Sequence, residues 1–463
     1  MARNGSNSAA FSPGENLLEN AAITVHGGER AGNGFSGHAG AAFTAEFSAP
    51  TAVNTVVLRE DGANCRGFSV EAKIDGEFRQ IYAQDDKIGE YRYCAFREIP
   101  ATALRVTVRQ AETRFTLTSV EAYCASKKRV PDFRVTAYLT AETAYDANAL
   151  RARAGSLDCI TDVIFFGAVR FSADGTLYYP DLEAEDGTKA DGKTVFQTAL
   201  QNLREVTNGR DIRIHCNFLG PDVDSANERC EQHTLAFGKN RNTLIAAILQ
   251  LIEANGFDGI FFDYEYPRRL KDWLTFSRFL TALKKEIHGR FVLGAAVPVW
   301  KNLWETLLAR PLDVAEIMGY DAFDADGHHA AFTATASRLV ANYQSLGFAR
   351  KRLDLGMPFY ARPVDGGLYW YAYREEAHTL GTSCNIAQGA LANFPETQGE
   401  AAPARYYNGW QMIYDKTAYA IDAGLGGVMV WHYGYDLPSA DELSLFGAIQ
   451  QAIEDRTIYR KSL

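Results

Sequence analysis

Hydrophobic and polar positions follow two different rhythms along this chain, and the change falls near residue 130. Between about residues 15 and 125, apolar positions come in short period-two runs broken by Gly, Asn and Asp. Val53-Asn54-Thr55-Val56-Val57-Leu58, Gly67-Phe68-Ser69-Val70-Glu71-Ala72 and Leu104-Arg105-Val106-Thr107-Val108 are examples. Residues two apart on a strand share a face, so such runs predict short half-buried strands and an antiparallel β-sandwich over 15–125. Residues 1–14 are small and polar and predict a flexible terminus, and the charged, Pro-bounded stretch 126–131 predicts a linker. Beyond it, apolar runs alternate with amphipathic ones. Strands are predicted at 134–139, 160–168, 212–217, 256–265, 291–298, 315–320, 353–360 and 427–433, with helices over 243–254, 271–287 and 332–346. Eight strands with intervening helices predict an α/β fold, a (β/α)8 TIM barrel over 132–463, preceded by the all-β sandwich. A doubly wound open sheet is the alternative, but no glycine-rich phosphate loop follows the first strand.

The fourth predicted strand ends in chemistry. It reads Phe257-Asp258-Gly259-Ile260-Phe261-Phe262-Asp263-Tyr264-Glu265-Tyr266-Pro267. Asp263 and Glu265, two apart, point the same way, and Phe261 lies one step below them on that face. Carboxylates beside a buried strand are costly unless partnered, so a pair at its C-terminal end suggests an acid and its helper. In a barrel that end is where catalytic side chains gather.

Composition narrows the class. A chain of 463 residues exceeds what one core usually organises, which predicts two domains. The net charge of −10 argues against nucleic acid and against an anionic membrane surface, and no apolar run is long enough to insert into a bilayer. Met1–Gly14 has no apolar core of the kind a signal peptide carries. The expectation is a cytoplasmic protein as the chain reads, or an extracellular one if an N-terminal segment has been trimmed. Seven cysteines without CxxC spacing predict reduced, scattered thiols, with neither a disulfide framework nor a zinc site. The 12% of aromatic residues suits stacking on sugar rings as well as core packing.

The fourth-strand segment resembles the catalytic strand of glycoside hydrolase family 18, D-G-x-D-x-D-x-E followed by Y-P. Asp258, Gly259, Asp263, Glu265, Tyr266 and Pro267 match it. Further segments are similar to the family's M-x-Y-D (Met318-Gly319-Tyr320-Asp321), G-x-P-F-Y-G-R (Gly356 to Arg362) and G-G-x-M-x-W (Gly426 to Trp431). The resemblance implies a retaining hydrolase of β-1,4 bonds at N-acetylglucosamine, in which the substrate's own acetamido oxygen is the nucleophile. Glu265 would then be the acid/base, Asp263 the acceptor of the acetamido N–H and Tyr320 a donor to its carbonyl. Asp321 would support the site by hydrogen bonding and Trp431 would floor the cleaved subsite. Tyr360, Arg362 and Asn217 are further candidates for contacting the sugar. No metal and no cofactor is implied. The expected partner is an N-acetylglucosamine-containing glycan: chitin oligomers, the chitobiose core of N-glycans or peptidoglycan. A catalytically weak or inactive chitinase-like carbohydrate-binding protein is the alternative.

Residues 15–125 resemble the discoidin-like, galactose-binding-like modules appended to many glycosidases, on Val57-Leu58-Arg59-Glu60, Gly67-Phe68-Ser69-Val70, the Asp75-Gly76 turn, Ile88-Gly89 and Leu104-Arg105-Val106. Glu29, Arg30, Asn33, His38 and Arg66 are placed in loops there, and no aromatic pair marks a sugar platform. Three departures from the family pattern stand out. Phe261 occupies the place of the first carboxylate, Ile214-His215-Cys216-Asn217-Phe218 replaces S-x-G-G, and Arg362 to Gly426 is too short for the family's α+β insertion, which predicts a shallower cleft. Asp258, early in its strand, is expected to brace rather than react.

Overall fold

The structure, a computed structural model, describes residues 11–130, 132–183, 189–300, 302–389 and 402–458. Most of the expected flexible terminus (1–10) and Pro131 of the expected linker lie outside the described residues. Eight parallel strands form the barrel: Arg134–Thr140, Asp162–Phe166, Arg213–Leu219, Gly259–Asp263, Val292–Val297, Val314–Ile317, Leu353–Pro358 and Gly427–Trp431. Each pairs with the next, and the last pairs with the first, so the ring closes. No described helix is long and apolar enough to cross a membrane.

The fourth barrel strand shows why these residues close a barrel. The helix before it, Arg241–Asn255, is stopped by Gly256 at φ 56°, a left-handed cap that glycine adopts without steric cost. Asp258 then accepts a hydrogen bond from the Ile214 N–H at 2.8 Å, pinning the third and fourth strands in register. Phe262 faces outward against Phe276 and Phe279 of helix Leu270–Ile287. That helix buries Trp273, Phe276, Phe279, Leu280, Leu283 and Ile287, the three-and-four spacing of one apolar stripe. Phe261 faces inward, and an interior cluster with Tyr138, Ile164, Met318 and Met429 fills the barrel axis.

The N-terminal all-β region is built on two long strands, Gly34–Glu60 and Arg92–Ala111, paired antiparallel, with Cys65–Ile74 on the far side of the second. Phe115–Tyr123 pairs parallel to the first. Bulges interrupt the long pairing between Glu46 and Thr51 and again between Val53 and Thr55. A bulge resets the two-residue alternation, so the sequence reads as several short runs where the chain makes one strand. Glu29, Arg30, His38 and Arg66 accordingly lie in strands, not loops.

This region has its own core around Phe35, Phe68, Val106 and Leu117, yet its face is sealed onto the barrel. Helix Trp410–Asp422 is buried from Met412 to Asp422, with the eighth barrel strand on one side and strand Arg92–Ala111 on the other. Tyr82 Oη donates to Asp415 at 2.7 Å, Ala95 N–H donates to the same carboxylate at 3.0 Å, and Tyr93 Oη donates to Asp422 at 2.7 Å. Arg456 ties the last helix to the Asn54 carbonyl oxygen at 2.6 Å. Phe11 also packs edge-on against Tyr419, 5.5 Å between centroids. Removing a donor from a buried carboxylate leaves it under-satisfied, so Tyr93→Phe is expected to cost about 1–3 kcal/mol. Denaturant unfolding measures this, and a change below about 0.5 kcal/mol would mean that the contact contributes nothing net.

The segment after the seventh strand differs from expectation. Tyr371–Ala372, Tyr360–Pro363, Arg405–Tyr406 and Ile386–Ala387 form a four-stranded antiparallel sheet in that order, with short helices beside it. Strands of two to four residues carry too little alternation to be read from sequence. The stretch after the seventh strand therefore folds into a small sheet of its own.

Candidate active site

The fourth strand ends at Asp263, and the chain leaves it through Tyr264, whose ring stacks on His233 on the barrel's outside, 3.9 Å between centroids. That outward anchor turns both neighbours, Asp263 and Glu265, toward the barrel mouth. Asp263 is half-buried and Glu265 opens to solvent. The two carboxyls are near enough that each shifts the other. Burial raises the Asp263 carboxyl well above the ordinary carboxylate range, and the Glu265 charge adds to this. Glu265 is also raised, by burial first, while hydrogen bonds with Tyr266 and Asp263 pull the other way. Crowding by protein atoms on all but the cleft side accounts for burial effects on a group that still reaches water.

Tyr320, at the end of the sixth strand, is buried, and its hydroxyl pKa is raised, by burial first and then by the charges of Asp263 and Glu265. Asp321 follows at φ 53°, a left-handed backbone unusual for a side chain with a Cβ. Its carboxylate accepts from Tyr360 Oη at 3.0 Å and from Arg362 Nη1 at 3.1 Å. Burial pushes the Asp321 carboxyl up, but the polar groups around it outweigh burial and hold the carboxyl below the usual range. The Asp321 N–H donates to His329 Nε2 at 2.9 Å, so that nitrogen is unprotonated, and burial lowers the His329 pKa in keeping with a neutral ring.

Aromatic rings line the same mouth. Trp431 meets Phe166 edge-on at 4.8 Å and Tyr138 at 5.5 Å, and its indole N–H has no partner among the described residues. Trp370 stacks on Tyr360 at 5.0 Å, and Trp300, half exposed, meets Tyr266 at 4.5 Å. Tyr371 and Tyr373, by contrast, are buried and serve packing.

Asp263, Glu265, Tyr320, Asp321, Tyr360, Arg362 and Trp431 thus stand at one end of the barrel, on the fourth, sixth, seventh and eighth strands and the loops that follow them. Asn217 lies one layer deeper. It is fully buried, pairs in register with Phe261, and neither of its amide atoms has a partner among the described residues. Phe261 is buried with its ring 4.9 Å from His215 and laid across Gly294, where an added Cβ would come within 2.1 Å of the ring. His215 Nε2 is held by Asp162 Oδ1 at 2.7 Å. His329 and Trp300 were not singled out from sequence. No periodic or motif signal marks them, because a long-range fold brings them to the mouth. No cluster of His, Cys, Asp and Glu able to hold a metal occurs among the described residues.

Comparison with known proteins places this arrangement. The profile of glycosyl hydrolases family 18 matches residues 134–436. Chitinase 1 of Aphanocladium album is 24% identical over 379 residues, covering 70% of this chain and 87% of the relative. A chitinase from Bacteroides thetaiotaomicron superposes with a TM-score of 0.55 at 18% identity, over 72% of this chain and 99% of the other. The Ostrinia furnacalis Group IV chitinase in complex with allosamidin superposes at 0.52, also at 18% identity, over 70% and 100%. These structures share the fold, and the profile, which spans all eight barrel strands and the residues of the site, carries the assignment: the chain belongs to glycoside hydrolase family 18.

Proposed function

We propose that this chitinase-like hydrolase cleaves β-1,4 bonds at N-acetylglucosamine with retention of configuration, by substrate-assisted catalysis. The observation that carries the reading is the Asp263–Glu265 pair at the end of the fourth strand, near enough for each carboxyl to shift the other and both to shift Tyr320. Glu265, whose carboxyl burial raises above its ordinary range, gives its proton to the glycosidic oxygen as the bond from that oxygen to C1 breaks. The acetamido oxygen attacks C1 and closes an oxazolinium ring. Asp263 accepts the acetamido N–H, and its carboxylate offsets the positive charge that develops. Tyr320 donates its hydroxyl to the acetamido oxygen and holds it near C1. Glu265, now a carboxylate, takes a proton from the water that attacks C1, and the ring opens.

The rings of Trp431, Trp370 and Trp300 support a cleft that stacks several sugar units, and the lone Trp431 N–H supports a polar contact to the sugar above it. Chitin oligomers fit this best, with the N-glycan chitobiose core and peptidoglycan as the competing substrates. The discoidin-like pattern of residues 15–125 belongs to the same proposal, as a second sugar contact or a brace. The test is to offer aryl-chitobioside, chitin oligomers and an N-glycosylated protein, and to read the product's anomeric configuration by NMR. The β anomer released first, with inhibition by allosamidin, is the expected result. An initial α product would end the retaining mechanism. Phe261 favours one other reading, a carbohydrate-binding protein that has lost activity. Sugar binding without turnover of any of the three substrates would establish it.

A further inference from the structure

We infer that the N-terminal all-β region is a positioning element of the active site, acting through Asp86 and Lys87 on the loop that carries Asp321. This rests on the proposed supporting role of Asp321. The loop runs from the sixth barrel strand to the helical segment that begins at Thr333, and two of its non-glycine residues, Asp321 and Ala330, are left-handed at φ 53°. Such backbone persists only where surrounding contacts over-determine it.

The contacts come from both sides. From the all-β region, Lys87 Nζ lies 2.6 Å from Asp324 Oδ2 and 2.6 Å from Asp326 Oδ2, and Arg66 stands 3.6 Å from Asp326. Asp86 accepts from Tyr406 Oη at 2.6 Å, Asn385 Nδ2 at 3.2 Å and Arg92 Nη1 at 3.2 Å, and its other oxygen is 3.6 Å from the His328 ring. That ring is stacked on Tyr406, 4.4 Å between centroids. Thr333 Oγ1 donates to the Tyr91 carbonyl at 2.9 Å. From the barrel, Asn408 Nδ2 donates to the His329 carbonyl at 3.2 Å and Lys416 Nζ to that of Ala330 at 2.9 Å.

The next residue after the clamped His328 is the one that reaches the site: His329 turns inward and accepts the Asp321 N–H. A continuous set of contacts therefore runs from Asp86 and Lys87 through Asp324, Asp326 and His328 to His329, and on to Asp321, Tyr360 and Arg362. It gives the all-β region a function that needs no sugar-binding surface of its own. Lys87 is the best place to break it. Its contacts cross between the two parts of the chain, and its largely buried side chain belongs to neither hydrophobic core, so its loss should leave both cores intact.

The experiment compares full-length wild type, Lys87→Ala and Lys87→Arg by hydrogen exchange and by turnover of aryl-chitobioside. In Lys87→Ala, amide exchange over residues 321–330 should rise about tenfold while the rest of the barrel is unchanged. The kcat should fall about 5- to 20-fold with KM altered less than twofold, as expected for misplacing a group that orients the reacting centre. Lys87→Arg should restore both. Unchanged exchange in the loop would overturn the inference, and so would faster exchange spread over the whole protein or faster loop exchange with unaltered kcat. A wild type without turnover would remove the proposed function instead, and protection of the Asp321 amide would then decide the clamp alone.

Discussion

Glu265→Gln is expected to fold like the wild type and to turn over N-acetylglucosaminides about 10²- to 10⁴-fold more slowly, the usual worth of a positioned general acid. Glu265 opens to the cleft and anchors no core, so the amide should fit without strain. What disappears is the proton that Glu265 is proposed to give to the leaving oxygen. The loss also relieves Asp263. Its carboxyl is raised by burial and then by the Glu265 charge, and removing that charge should let its pKa fall toward the ordinary range. Residual activity of the variant should therefore no longer fall as pH rises through the upper pKa of the pair. The wild type should lose activity as pH rises through the upper pKa of the pair, because the working form carries one proton between two carboxyls. Measurements of kcat over pH, with allosamidin affinity as a check that the cleft survives, test all three statements. A variant with wild-type kcat would remove Glu265 from the chemistry.

Phe261→Asp should have the second-largest effect, and on stability as much as on rate. It restores the family's carboxylate, but the surroundings are no longer those of a carboxylate. The Phe261 ring fills the space above Gly294 and packs on His215. Truncating a ring in so closed a place costs about 3–5 kcal/mol. The new carboxyl would also be desolvated beside Asp263, which raises its folded pKa above the unfolded value near 3.9. The sign follows from proton binding. The folded state holds that proton more tightly, so the added penalty is absent below about pH 4 and grows as pH rises toward the raised pKa. A third negative charge should also raise the Asp263–Glu265 pair and shift the alkaline limb of activity upward. Thermal unfolding and kcat, each followed over pH, check the two halves separately. An unshifted activity profile in a folded variant would mean that position 261 is not coupled to the pair.

Much of the barrel was legible because its strands are buried on both faces and bounded by helices with clear stripes. Phe276, Phe279 and Leu283 mark their helix face as plainly as Ile260 and Phe262 mark their strand. The four segments of the site were legible for a different reason: each sits at a strand end, so a short local pattern around Asp263, Asp321, Arg362 and Trp431 carries it. What escaped has no local signature. His329 matters because the Asp321 loop folds back on itself. The small sheet of 360–406 is built from strands too short to alternate. The continuity of the strand Gly34–Glu60 is hidden by its bulges. The sealing of Tyr82, Tyr93 and Ala95 onto Asp415 and Asp422 pairs residues that no window of sequence contains.

That last pairing has a consequence for how the chain is made. Ala95 and Asp415 are 320 positions apart. At roughly 5–20 residues per second of synthesis, about 16–64 s pass between the emergence of one and the other from the ribosome. Through that interval the all-β region has its own core but not its covering helix. Tyr91 and Tyr93, which pack on the barrel side, form an aromatic face open to any passing surface. The nascent chain is therefore most exposed to aggregation late in translation, when it is long and the helix Trp410–Asp422 that covers that face is the piece still missing.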